Sequence, residues 1–164
     1  MKPYFFAVCT CLSLTAFSQQ LPASVCERTA ATYLFQEVFP KDFPRTKKFV
    51  YFGHTEERPF DFAMYRPCGM LDSLLSTSSD AAYVARIARG KTPPKPVPLA
   101  VQARLITRYN GNSPAVTLFE HISFPGVEVV PVVVAAARGQ LHCYYVFMSP
   151  MGRVMSYCSV QAIQ

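Results

Sequence analysis

Several things are scarce in this chain. It has no Trp, only 7 Gly in 164 residues, and only 16% charged side chains. Low charge with 51% apolar residues excludes an intrinsically disordered chain, which could not bury enough apolar surface to offset its ordering entropy. No apolar run reaches the ~18 residues needed to cross a bilayer as a helix, so a polytopic helical membrane protein is excluded. HExxH, GxSxG, the phosphate loop, GxGxxG and the EF-hand loop are all missing. The cysteines also lack the CxxC spacing of zinc and thioredoxin-like sites. These absences lean away from an enzyme and imply no cofactor and no metal.

What is present begins with an address. Met1-Lys2 supplies a positive charge, Tyr4 to Phe17 is nearly unbroken apolar sequence, and Ala16 and Ser18 are small residues ahead of Gln19. This three-part layout predicts a signal peptide over residues 1–18, with cleavage after Ser18 and export to the periplasm or the extracellular space. Cys9 and Cys11 do not suit lipidation, because Val8 and Thr10 precede them where a small residue is expected. Loss of Lys2 lowers the net charge from +6 to +5. The remaining basic residues are dispersed, with Lys47-Lys48 as the adjacent pair, so a clustered nucleic-acid footprint is not expected. A mildly basic surface attracted to anionic glycans or membranes fits better.

Residues 19–164 read as one α+β domain. Ser24 and Glu27 have the spacing of a capping box, and Ala30, Ala31, Leu34, Phe35 and Val38 follow at helical period. A helix is therefore expected over about 25–38, stopped by Pro40. Short strands are expected at 48–53 and 60–65, and a second helix from Asp80 to Gly90. Lys91 to Pro98 is proline-rich and predicts a stiff crossover at 91–98.

Five further strands are expected at 101–109, 115–124, 127–137, 141–149 and 153–160, joined by short turns into a five-stranded antiparallel meander covered by the helices. Helices leading into a curved meander resemble the layout of cystatin-like and NTF2-like domains, a likeness of architecture that carries no function. Tight turns would pair 109 with 114, 124 with 127, 137 with 140, and 149 with 152. That register places Val101, Ala103, Leu105, Val116, Leu118, Ile122, Phe124, Val129, Val133, Val146, Met148 and Met155 on the face beneath the helices. It leaves a half-polar second face, and Pro131 is expected to mark a bulge.

The same register defines candidate residues. Cys143 falls opposite Cys158, which predicts a disulfide, and Cys26 and Cys68 are left to each other. Glu120 falls on the core face, where burial would raise its pKa and make it a candidate general base. Gln102, Arg104, His121 and Tyr145 converge on the second face as a candidate grip for a carboxylate or phosphate. Glu120, His121 and Tyr145 are the candidate catalytic groups if there is chemistry. His54, near Glu56, Glu57 and Asp61, reads as part of a polar loop. The expected function is non-enzymatic binding of a small ligand or protein partner in the cell envelope or outside the cell. A small hydrolase or isomerase with a sheet-face pocket is the alternative, and a secreted inhibitor or toxin-type module is a third.

Overall fold

The computed structural model describes residues 23–60, 68–77, 90–101, 105–108, 113–136 and 139–163. The expected signal peptide, the helix from Asp80, most of the strand at 60–65 and the turn at Asn110–Asn112 lie outside these residues.

Within them the chain is α+β, built around a seven-stranded mixed sheet. The strands are β1 (Phe49–Val50), β2 (Leu105–Ile106), β3 (Ala115–Leu118), β4 (Ile122–Phe124), β5 (Val127–Ala135), β6 (Gln140–Met148) and β7 (Val154–Ile163). The order is β2-β1-β3-β5-β6-β7, with β4 pairing on β5 beside β3. The expected meander therefore needs correcting. β1 inserts between β2 and β3 and runs parallel to both, so β2 and β3 do not pair as the expected hairpin.

The first helical segment is three pieces in continuous succession: α1 (Ala23–Tyr33), a π-turn (Leu34–Val38) and α2 (Phe39–Asp42). Pro40 does not stop it. The N–H of Phe39 reaches back five residues to the Leu34 carbonyl, and the wider turn restarts the helix so that Pro40 sits in the first turn of α2. There a missing N–H costs nothing. Ala30 and Ala31 let the helix approach the sheet closely, and Leu34, Phe35, Val38 and Phe39 fill the space beyond them. Phe39 is packed by Phe35, Phe49 and Tyr144 at ring separations of 4.9 to 5.3 Å, and Tyr144 Oη donates to Asp42 at 2.8 Å.

Both faces of the central strands β5 and β6 are buried. Val130, Val132, Val134, Tyr144, Val146 and Met148 lie under the helical segment. Val129, Val133, Cys143, Tyr145 and Phe147 lie on the opposite side with Phe60 and α3 (Gly69–Thr77). A strand covered on both sides needs no polar alternation, and β5 reads VEVVPVVVA accordingly. The second face is thus not the half-polar surface expected.

Two register effects explain the difference. First, β3 pairs Leu118 with Val132 whereas β4 pairs Ile122 with Val129, so four steps on one strand meet three on the other. The extra residue falls at 119–121, opposite Pro131. The Pro131 carbonyl accepts the Phe119 N–H at 3.1 Å, and a residue's own N–H points to the same neighbour as its carbonyl. Proline has no N–H to offer there, and the facing strand gives way while β5 stays straight against β6. Second, β5 and β6 pair Ala135 with Leu141, one position from the expected register. Together these move Ile122, Phe124, Val129 and Val133 to the face opposite the helix.

The last hairpin corrects the disulfides. Its loop is five residues long, pairing Met148 with Val154, and a bulge then puts Phe147 opposite Ser156. The accumulated shift is two residues: Cys143 faces Val160, and Cys158 faces Tyr145. A shift of two keeps Cys143 and Cys158 on one face but separates them diagonally. Cys158 bonds instead to Cys68 just before α3, with Cα atoms 6.4 Å apart. Cys26 and Cys143 are free thiols buried on opposite sides of the sheet, so neither predicted bridge forms.

The proline-rich stretch is strapped along residues 51–57. Val97 N–H donates to Gly53, Thr55 N–H to Lys95, and Thr92 N–H to Glu57. The Tyr51 hydroxyl donates to the Val97 carbonyl at 2.9 Å.

Candidate functional site

The residue that organises the polar interior is Glu27, read from sequence as part of a cap. Because α1 begins at Ala23, Glu27 lies within the helix, on the same stripe as Ala30, Ala31 and Leu34. Its side chain is wholly buried. One carboxylate oxygen accepts two hydrogen bonds from His121, from the backbone N–H at 2.9 Å and from Nδ1 at 2.8 Å. The other ring nitrogen, Nε2, stands 3.8 Å from Glu128 Oε2, an ion-pair distance too long for a hydrogen bond. Among the described residues, Oε2 of Glu27 and Oε2 of Glu128 are buried without a hydrogen-bond partner.

The bulge at 119–121 makes this possible. It frees the backbone N–H of His121 from the β3–β5 ladder and turns the ring toward α1. The side-chain hydrogen bond to Glu27 raises the His121 pKa above its ordinary value; burial opposes the rise, and the charges of Glu27, Glu128 and Glu120 add to it. The His121 ring, held between Glu27 and Glu128, clamps α1 to the sheet. It is poorly placed to take a proton from a nucleophile, because both nitrogens already face carboxylates. The neighbouring Cys26 thiol is pushed up to about 11 by burial and then by Glu27 and Glu128, so it stays protonated and unreactive.

The candidates do not assemble as expected. Tyr145 is fully buried on the opposite side of the sheet, its ring 5.7 Å from that of Phe60, and does not share a surface with His121. Glu120 is half-buried and pairs with Lys95 of the proline-rich strap. Gln102 and Arg104 lie outside the described residues, and with β1 between β2 and β3 the register that set Gln102 against His121 does not hold. His54 Nδ1 lies 2.8 Å from the Thr55 carbonyl, and Glu57 pairs with Lys91. Asp61 lies outside the described residues. Among the described residues no group of three or more His, Cys, Asp or Glu is arranged to hold a metal.

The second feature is an edge. β7 is ten residues long and pairs with β6 on one side; among the described residues no strand pairs with its other side. Tyr157 leans on Tyr33 of α1, with ring centroids 5.9 Å apart. Beside this contact lies an open groove of about 410 Å³, lined by Arg28, Thr29, Thr32, Tyr33, Gln36, Glu37 and Val154. Met151 is exposed at the same end of the strand, and so is Met155, which the hairpin bulge leaves outside the core face expected for it. On the other face Cys158 ties β7 to Cys68.

No protein-family model matches this chain, and no curated protein or solved structure is significantly similar to it.

Proposed function

We propose that this chain is an exported, non-enzymatic recognition domain that takes an extended segment of a partner protein as an added strand along β7. The observation that carries this reading is the composition of that edge. Val154–Ile163 contains no Lys, Arg, Asp, Glu or Pro. Natural sheet edges are ordinarily blunted by charge, by proline, by shortness or by cover. Among the described residues neither charge, proline nor shortness blunts β7, and a bulge interrupts the edge at its hairpin end.

A row of backbone N–H and C=O groups about 33 Å long is complementary to another extended chain and to little else. The groove beside it carries both Arg28 and Glu37, so it suits an uncharged, partly apolar segment. The Cys68–Cys158 bridge anchors the same strand to α3, which favours a preorganised template, and it agrees with the apolar leader in pointing to an oxidising compartment. A secreted inhibitor would be a special case, with an enzyme as the partner. The hydrolase or isomerase reading, with Glu120, His121 or Tyr145 as acid–base groups, loses support because Tyr145 is buried, Glu120 pairs with Lys95 and both His121 nitrogens face carboxylates.

The test is selection of peptides of ten to twelve residues from a displayed random library, followed by affinity measurement on wild type and on Ser159→Lys/Gln161→Lys. Both sites are exposed on β7. Peptides that lose binding on the double variant support the reading. Peptides that bind both proteins equally, no selected peptide, or a β7-dependent homodimer in sedimentation would each overturn it.

A further inference from the structure

At the other side of the sheet, the loop from α2 into β1 stands beside the residues that lead into β3. The two are tied together by the Val50 N–H, which donates to the Pro114 carbonyl at 2.8 Å, and Thr46 N–H closes the loop onto Phe43. Between them lies a cleft of about 380 Å³ lined by Arg45, Thr46, Lys47, Lys48, Ser113 and Pro114. Three of these six residues are cations, and among the described residues no carboxylate lines the cleft. Arg45, Lys47 and Lys48 are all exposed and form no ion pair among the described residues. The nearest acid in sequence, Asp42, is engaged by the Tyr144 hydroxyl.

We propose that this cleft is an anion-binding site for a phosphate or sulfate group carried on a small molecule or glycan, distinct from the β7 edge. Three cations converging on a concavity reinforce one another's potential, whereas the same charges spread on a convex face are separately screened. Arg45 can offer a planar pair of donors to two oxygens of the group, Lys47 and Lys48 act as point charges, and the Thr46 hydroxyl adds a neutral donor. A concavity of this size suits one phosphate- or sulfate-bearing sugar-sized group better than a flat lipid surface.

The experiment uses the disulfide-bonded chain in calorimetric titrations at low and physiological salt. The probes are inorganic phosphate, a sulfated heparin-type oligosaccharide and vesicles containing phosphatidylserine. Lys47→Gln/Lys48→Gln is compared with Arg58→Gln/Arg153→Gln, which removes the same charge from exposed positions outside the cleft. The expected result is binding of phosphate or of the oligosaccharide that weakens about tenfold or more in the cleft variant and little in the control, because each lost charge-assisted hydrogen bond is worth a large part of a tenfold factor. Phosphate binding alone would identify a free phosphorylated ligand, and oligosaccharide binding alone a sulfated glycan. Equal weakening in both variants, binding to vesicles only, or no binding to any probe would overturn the proposal. Ser159→Lys/Gln161→Lys should leave anion binding unchanged, which separates this site from the β7 reading.

Discussion

Glu27 and His121 stand 94 positions apart in the chain and share two hydrogen bonds, both to one oxygen of a carboxylate that solvent does not reach. This pair joins the first helix to the point where the sheet breaks register. The architecture depends on it more than on any surface ion pair.

Removing the ring should therefore be costly. His121→Ala leaves the Glu27 carboxylate buried with only a backbone donor, and breaking a buried pair in this way typically costs about 3–5 kcal/mol. Glu120→Gln, which breaks the more exposed contact with Lys95, should cost under about 1 kcal/mol. Urea unfolding of both variants gives the comparison. Similar losses in the two would mean that the buried pair is not the clamp described.

The two described histidines beside the helix and β6 should titrate on opposite sides of the ordinary value of 6.5. His121 is raised by its bond to Glu27; His142, whose ring packs 5.0 Å from that of Phe43, is lowered by burial. A raised folded pKa gives stability that is complete below 6.5 and is lost as pH climbs through the folded value. A lowered one gives stability present above 6.5 and lost as pH falls. These two groups together place maximal stability near 6.5. Proton NMR titration of the ring resonances checks the order, and His142 titrating above His121 would contradict it.

The cysteines offer a chemical check on hairpin register. Burial pushes both the Cys26 and Cys143 thiols up to about 11, so at pH 8 only about one in a thousand is ionised. Neither should react with iodoacetamide until the protein unfolds, and non-reducing peptide mapping should join Cys68 to Cys158. Reduction of that bridge, which spans 90 residues, should lower stability by roughly 2–5 kcal/mol. A Cys143–Cys158 peptide would show that the observed register is wrong.

Much of the local structure was legible in the sequence. Pro125-Gly126 reads as a two-residue turn, and the structure pairs Phe124 with Val127 across it, with Gly126 at φ +78°. The apolar stripe from Ala30 to Val38 marks the buried helix face correctly. Long-range pairing was not legible. Nothing near Phe49 announces that β1 will part β2 from β3, because a parallel pair leaves no turn to read. Pro131 signalled an irregularity, yet the distortion went to the facing residues 119–121, since the missing donor harms the partner strand. The clamp itself left one trace: an acidic residue, Glu27, on an otherwise apolar helical stripe. Reading it as a cap hid it.

The central claim is that β7 is a binding edge, and amide hydrogen exchange along Val154–Ile163 tests it most directly. With a peptide selected as above bound, the account predicts that protection rises at alternate residues of β7, those whose N–H points away from β6, while amides already paired to β6 change little. Protection that stays unchanged along β7, with the peptide's effect elsewhere in the chain, would contradict it.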